Sequence, residues 1–282
     1  MYEVVVVGGG VGGLTAAALL AARGLSVCLL ERGPDAGGCA AAFEHAGRRY
    51  EPGAGLYSCW QRGDIHERVF AELPVGPPEV ELIRTPYVVH LPDGARVRVG
   101  LPSGEHFAEL RAAFPECAGE AERFYLELAP VAEALHDAAL RSPGLAAASP
   151  LERLKLLARA GRESTKILAG MGKRAADYLG GTSPRFRRFI DAQLQIFAQA
   201  PSRDCAYLYA AVALAQPLRG MYTMRGGAQS LPDSLAESIR KSGSTVRLNT
   251  PALRLAYDSR GRAAGVQLLS GETVEAGRAV IS

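Results

Sequence analysis

The sequence predicts an α/β fold in which a parallel sheet is interrupted by a second, inserted domain. Three observations carry this expectation. A β-branched run, a glycine-rich turn and an Ala/Leu helix follow one another within residues 2–23. A second short strand then ends on an acid, Glu31. Segments that read as a return to the same sheet come only after Gly220.

Glu3 to Val7 is an apolar β-branched run suited to a buried parallel strand. Gly8, Gly10 and Gly13 fall at the G-x-G-x-x-G positions, with Val11 and Gly12 between them. The first glycine makes a tight turn and the second lets the backbone approach a pyrophosphate. The third lets the helix Leu14–Arg23 pack close on the strand, its N-terminus aimed at the phosphates. Val27 to Leu30 forms the next strand, and Glu31 at its end can accept hydrogen bonds from a ribose diol. Arg32 could select a 2′-phosphate, but behind Glu31 it reads better as a solvated charge near the adenine end. Strand, turn, helix, strand and acid together specify a dinucleotide site. The pair Gly37-Gly38 leaves the dinucleotide open: a permissive loop explains it, and so does a chain wrapping back along an extended FAD.

Beyond this unit, Val80–Arg84, Tyr87–Leu91 and Arg96–Val99 read as short strands, with a turn at Pro92-Asp93-Gly94. Phe107–Phe114 and Glu120–Leu140 read as helices, and residues 143–150 as a loop. Phe186, Phe189, Ile190, Leu194 and Phe197 share one helix face, which points to core packing. Ala206–Ala215 is apolar nearly all round, so it is expected to be buried on every side or to line an apolar channel, with Pro217 and Gly220 ending it. Asp233–Lys241 is a helix stopped by Gly243. Thr245–Leu248 is a strand, Leu253–Tyr257 and Ala263–Leu269 a hairpin, and Ala279–Ile281 the last strand. Trp60, the only tryptophan, is expected in the core or at a domain interface, and His66 on the outward face of a short helix.

Composition describes an ordinary globular protein of 282 residues, 48% hydrophobic and 22% charged. Five cysteines without C-x-x-C spacing and five scattered histidines indicate neither a metal site nor a disulfide scaffold. The chain opens directly into a strand and has no run of transmembrane length, so a cytoplasmic protein is expected. The net charge of +3 hides an uneven distribution. Residues 151–188 hold ten basic side chains against three acidic ones, with Leu151, Leu154, Leu157, Ala158, Ile167 and Leu168 between them. Such a segment can lie on the inner face of an anionic membrane, or can be a solvated helix packed on its own core. Nucleic acid is a poor fit, because aromatic residues are sparse among the basic ones.

Residues 1–57 resemble the N-terminus of the FAD-dependent carotenoid desaturase and isomerase family, which includes phytoene desaturase, carotenoid isomerase and retinol saturase. The matching residues are the turn Gly8 to Gly13, Glu31, Gly37-Gly38, Gly47, Tyr50-Glu51 and Gly53. Glu51 stands where the family usually has Asp. Cys39 stands where phytoene desaturases usually have Arg, and is closer to the isomerase and saturase branch. The resemblance resumes over Phe186–Ile239, through Gly226-Gly227 into a helix. It continues from Thr245, where Val246 matches the strand residue whose backbone contacts the adenine. It is loosest from about Leu82 to Pro184.

The resemblance implies a Rossmann-like FAD-binding domain of the glutathione-reductase type, with an inserted α+β substrate domain. The C-terminal portion of the family fold, with its second flavin motif, is missing from these residues. The expected boundaries are 1–75 and 220–282 for the FAD domain and 76–219 for the insert. Gly37, Gly38 and Cys39 are expected along the cofactor, Cys39 as a small residue fitting close to it. Gly53, Ala54, Gly55, Leu56 and Tyr57 are expected near the flavin ring. No catalytic acid or base is identified, which is consistent with chemistry carried by a cofactor. The implied substrate is a long, apolar, carotenoid-like polyene, desaturated by hydride transfer to flavin or isomerised by reduced flavin. Quinone or oxygen is the expected electron acceptor. The rival expectations are another oxidoreductase of the amine-oxidase type and a lipid carrier of the Rab escort or GDP-dissociation-inhibitor type.

Overall fold

The computed structural model describes residues 1–53, 55–100, 103–142, 149 and 162–282. Along the chain it begins β1 (Tyr2–Val7), α1 (Val11–Ala22), β2 (Val27–Leu30), β3 (Phe43–His45), β4 (Arg48–Tyr50) and α2 (Ile65–Phe70). There follow β5 (Val80–Ile83), β6 (Tyr87–His90), β7 (Arg96–Val99), α3 (Ser103–Ala113), α4 (Ala118–Arg141), α5 (Arg162–Gly170), α6 (Pro184–Phe197) and α7 (Tyr207–Arg219). The last elements are β8 (Met221–Met224), α8 (Ser230–Lys241), β9 (Thr245–Arg247), β10 (Ala252–Tyr257), β11 (Ala263–Leu268) and β12 (Thr273–Ile281). The chain forms two compact units, one of Met1–Glu81 with Tyr222–Ser282, the other of Leu82–Met221.

The first unit is built on a six-stranded sheet in the order β10-β11-β12-β1-β2-β9. Strands β12, β1, β2 and β9 run parallel, and β10-β11-β12 is an antiparallel meander. The alternation of side chains along a strand sends Val4 and Val6 to one face and Val5 to the other. Val4 and Val6 pack with Leu14, Ala17 and Ala21 of α1 and with Leu231, Leu235 and Ile239 of α8. Val5, Cys28 and Leu30 pack with Val266, Leu268, Val274 and Ala276 of the meander. Both faces are covered, which is why β2 is buried at all four positions. Strand β12 is longer than the sequence pattern suggested. Its first part pairs antiparallel with β11, and from Ala276 onward it pairs parallel with β1.

In the second unit, β6 and β7 form the expected hairpin. Its core gathers Phe114, Phe124, Phe186 and Phe189, whose rings lie 5.2 to 6.1 Å apart where they touch. Pro184 begins α6 and the Ser183 hydroxyl accepts the Phe186 N–H, a satisfied N-cap. Gln193 lies fully buried on the same helix. Its amide donates to the Tyr125 hydroxyl and to the Phe189 carbonyl, and accepts from the Tyr87 hydroxyl.

Four local expectations change. Helix α7 is not buried all round: Tyr209 is 54% exposed and donates its hydroxyl to the Phe197 carbonyl. Pro217 does not end it, because the helix runs to Arg219 and stops at Gly220, whose φ is 136°. His66 does not face outward. It is half-buried and stacked on Trp60, with ring centroids 4.1 Å apart and planes at 8°, and burial lowers its pKa. The exposed hairpin β3–β4 was not anticipated.

Of the basic stretch, residues 151–161 lie outside the described residues. Ile167 is buried, while Leu168 and Met171 are exposed. Arg174 donates to the Asp204 carbonyl, Arg185 to Asp93 and the Ala113 carbonyl, and Arg187 to the Leu179 carbonyl. These three cations therefore serve the unit's own packing. No helix among the described residues is long and apolar enough to cross a membrane.

Two stability measurements test this architecture. A Cβ on Gly13 would lie 2.1 Å from the Gly8 carbonyl oxygen, whereas Gly12 faces open space. In urea denaturation we expect Gly13→Ala to cost about 3 kcal/mol or more and Gly12→Ala to stay within about 1 kcal/mol of wild type.

The second concerns His106, which is 2% exposed and has no hydrogen-bond partner at either ring nitrogen among the described residues. Burial lowers its pKa from 6.5 to about 4, with Glu109 opposing. As pH falls, the unfolded chain protonates first. The neutral imidazole's contribution is therefore complete above pH 6.5 and is lost as pH falls towards 4. The loss should amount to about 3 kcal/mol. The acid limb of the pH–stability curve should flatten by that amount in His106→Leu.

Candidate functional site

The turn after β1 is shaped by close backbone contacts. Gly8 has φ 105° and donates its N–H to the Leu30 carbonyl at 2.8 Å, which ties the turn to β2. Helix α1 starts at Val11 with Gly10 as its N-cap, with no capping side chain and no acid in its first turn. Its first N–H groups therefore keep their positive end for another partner. A Cβ on Gly10 or Gly12 would meet nothing within 4 Å, so there is room beside these glycines for a pyrophosphate.

Glu31 is held by both its backbone and its side chain. Its carboxylate accepts the Gly9 N–H at 2.6 Å and the Gly33 N–H at 2.7 Å. Its own N–H donates to the Arg247 carbonyl at 2.9 Å, and its carbonyl accepts the Thr250 N–H at 2.7 Å. A carboxylate offers about four acceptor positions, so roughly two remain for the hydroxyls of a ribose. Val246 pairs in register with Leu29 on the edge strand β9, which brings that strand beside Glu31. Arg32 is exposed.

The second glycine pair folds back onto the first turn. The Gly37 N–H donates to the Gly9 carbonyl at 2.6 Å, and a Cβ on Gly38 would come within 3.1 Å of the Gly10 Cα. Cys39 is exposed, with its thiol free. The chain then passes directly over it, since a Cβ on Gly53 would lie 2.1 Å from the Cys39 carbonyl oxygen. Gly55, Leu56 and Tyr57 follow, all half-buried; Ala54 lies outside the described residues. Tyr57 and Tyr222 exchange two backbone hydrogen bonds of 2.8 and 2.7 Å. The Tyr57 hydroxyl is buried without a hydrogen-bond partner among the described residues, and burial raises its pKa. Glycine turn, Glu31, glycine pair and Gly53 thus form one continuous track, and the free N–H groups, spare carboxylate sites and orphan hydroxyl along it suit an extended dinucleotide.

Sequence reasoning passed over four residues that shape this track. Asn249 takes φ 51° so that the chain can turn back to Gly33 and Glu31, and Asn-Thr-Pro after a strand was the available signal. Thr250, Tyr222 and Gln229 carried no local signal, because their partners lie far away in the chain. Among the described residues no three His, Cys, Asp or Glu side chains gather to hold a metal.

The second unit holds a cavity of about 300 Å³, bordered by Phe107, Leu126, Ala129, Leu218, Glu133 and Arg219. Its walls are mostly apolar, and its size falls at the lower end of small-molecule sites.

Comparison with known proteins gives the family. The family model for flavin containing amine oxidoreductase matches residues 11–282. The chain is 26% identical to a chloroplastic prolycopene isomerase of Daucus carota, over 97% of its length and 44% of the relative. It is 27% identical to the all-trans-retinol 13,14-reductase of Rattus norvegicus, covering 96% of this chain and 45% of that one. It is 30% identical to a phytoene dehydrogenase of Streptomyces griseus, covering 90% and 49%. The chain thus spans less than half the length of these relatives. Among solved structures it matches putrescine oxidase bound to putrescine with a TM-score of 0.61 at 20% identity, covering 100% of this chain and 57% of that one. It matches the Rab GDI of Plasmodium falciparum with a TM-score of 0.57 at 13% identity, covering 99% and 64%. These likenesses establish the shared fold. With the family match running across both units, the chain belongs to the flavin-containing amine oxidoreductase family, whose cofactor is FAD.

Proposed function

We propose that this chain is the FAD-holding part of an oxidoreductase that acts on a long, apolar polyene of the carotenoid type. The observation that carries the proposal is the set of relatives matched over nearly the whole chain, named for prolycopene, retinol and phytoene. The apolar cavity of the second unit supports a hydrocarbon substrate. Bound FAD supplies an acceptor for a hydride from an allylic C–H. The roles left to the chain are binding and orientation. The N-terminus of α1 faces the pyrophosphate with Gly8, Gly10, Val11, Gly12 and Gly13. Glu31 accepts from the ribose, with Arg32 and Val246 at the adenine end. Gly37, Gly38 and Cys39 would hold the middle of the cofactor, and Gly53, Gly55 and Leu56 the ring end.

Removal of a hydride and a proton extends the conjugation of the polyene, and the Cys39 position leaves isomerisation as the variant reaction. A substrate dissolved in lipid makes peripheral membrane contact through residues 151–188 part of the same proposal, with quinone or oxygen as electron acceptor. A lipid carrier of the Rab GDI type shares the fold but has no need of a built ribose acid and pyrophosphate turn.

Two measurements test the proposal. The purified chain should take up FAD and show a flavin absorption spectrum, and Glu31→Ala should weaken that uptake by roughly tenfold or more. The whole protein, given phytoene, prolycopene or all-trans-retinol under anaerobic and aerobic conditions, should yield a product with altered polyene absorption. Desaturation removes two hydrogens per new double bond, and isomerisation changes retention without changing mass. Turnover of a primary amine with no polyene converted would replace the proposal by the amine-oxidase reading.

A further inference from the structure

One side chain far along the sequence grips both ends of the second glycine loop. Gln229, 5% exposed, lies immediately before α8. Its amide oxygen accepts the Ala42 N–H at 2.9 Å. Its amide nitrogen donates to the Ala36 carbonyl at 2.7 Å and to the Asp233 carboxylate at 3.1 Å. Both donors and the acceptor are therefore used, and the residues they bracket are Gly37, Gly38, Cys39 and their neighbours. The loop has no slack between its supports. Its Gly37 N–H is bonded to the Gly9 carbonyl, and a Cβ there would collide with Ala41 and with Pro232 in the first turn of α8. The next residue back, Ala228, donates its N–H to the Glu51 carboxylate at 2.7 Å, and Gly227 leaves the room for that carboxylate. The 227–229 turn thus holds both passes of the chain, 36–42 and 51–53.

From this geometry, and resting on the cofactor path proposed above, we infer that Gln229 is a positioning residue for the flavin half of FAD. It presets the loop 36–42 against the Gly9–Gly10 turn, so that the middle and ring end of the cofactor meet a formed wall. The adenosine end is served by different contacts, those of Glu31 with Gly9, Gly33, Arg247 and Thr250, none of which involves Gln229. Gln229 should therefore separate affinity for FAD from affinity for ADP, which carries only the adenosine and pyrophosphate part.

The test is a paired titration of residues 1–282 with FAD and with ADP, in wild type, Gln229→Ala and Gln229→Glu. In Gln229→Ala the FAD dissociation constant should rise by about tenfold or more while that for ADP stays within about twofold. Gln229→Glu keeps the acceptor for Ala42 but loses the donor to Ala36 and places a second carboxylate beside Asp233. Its FAD affinity should fall at pH 8 and recover as pH is lowered towards 5.5, where a protonated carboxyl can donate again. A merely structural residue would lose and recover affinity for ADP in parallel with FAD. Equal loss of FAD and ADP, no change in either, or a wild-type chain that binds ADP but not FAD would each overturn the inference.

Discussion

The carbonyl oxygen of Gly8 lies 2.1 Å from the point where a side chain on Gly13 would begin. Helix α1 can therefore rest directly on β1 only while that position carries no side chain. This approach sets the direction of the helix and brings its uncapped N-terminus to the end of the strand, beside the open space next to Gly10 and Gly12. The same closeness lets Leu14, Ala17 and Ala18 seal one face of the sheet with small and medium side chains. Binding geometry and core packing thus share one cause, the missing Cβ atoms along the turn.

The sheet built on that contact is assembled from both ends of the chain. β1 takes β2 on one side after a short crossover and β12 on the other after more than 200 intervening residues. Long-range parallel pairing of this kind is slow to form, because loop closure has to precede the contacts that reward it. Strand β12 eases the problem by serving two neighbours. Its antiparallel half pairs locally with β11, and this meander can present the parallel half to β1 as a ready edge. Arg247 and Glu272, paired at 2.7 Å through the Nη1 and Nη2 of the guanidinium, tie β9 to the turn between β11 and β12.

The helical unit treats its two most buried polar side chains in opposite ways. Gln193 sits among three partners and is fully engaged, so its burial costs little and fixes the relation of α4, α6 and β6. His106 is packed edge-on against Tyr125 at 4.9 Å, and burial keeps it neutral, outweighing the favourable charge of Glu109. The tyrosines around Gln193 follow the same logic: burial pushes both phenols far above their ordinary pKa, so they remain neutral hydrogen-bond partners. A buried polar group with partners specifies packing, and one without them introduces sensitivity to acid.

The sequence by itself determined the first βαβ unit and marked it for a dinucleotide, with FAD named only through the family resemblance. Gly8, Gly10, Gly13 and Glu31 lie within one local supersecondary unit, where spacing and residue type are dictated by turn sterics and phosphate chemistry. The helix face of Phe186, Phe189, Ile190 and Leu194 was legible for the same reason, since a 3.6-residue period is a local property. Tertiary structure alone decided the rest. Trp60 drew His66 out of solvent, β12 found two different partners, and Gln229 reached back almost two hundred residues to the loop after Gly37. None of these has a sequence signature. Each depends on which distant surfaces meet, and that is set by the burial of whole faces rather than by the preferences of the residues concerned.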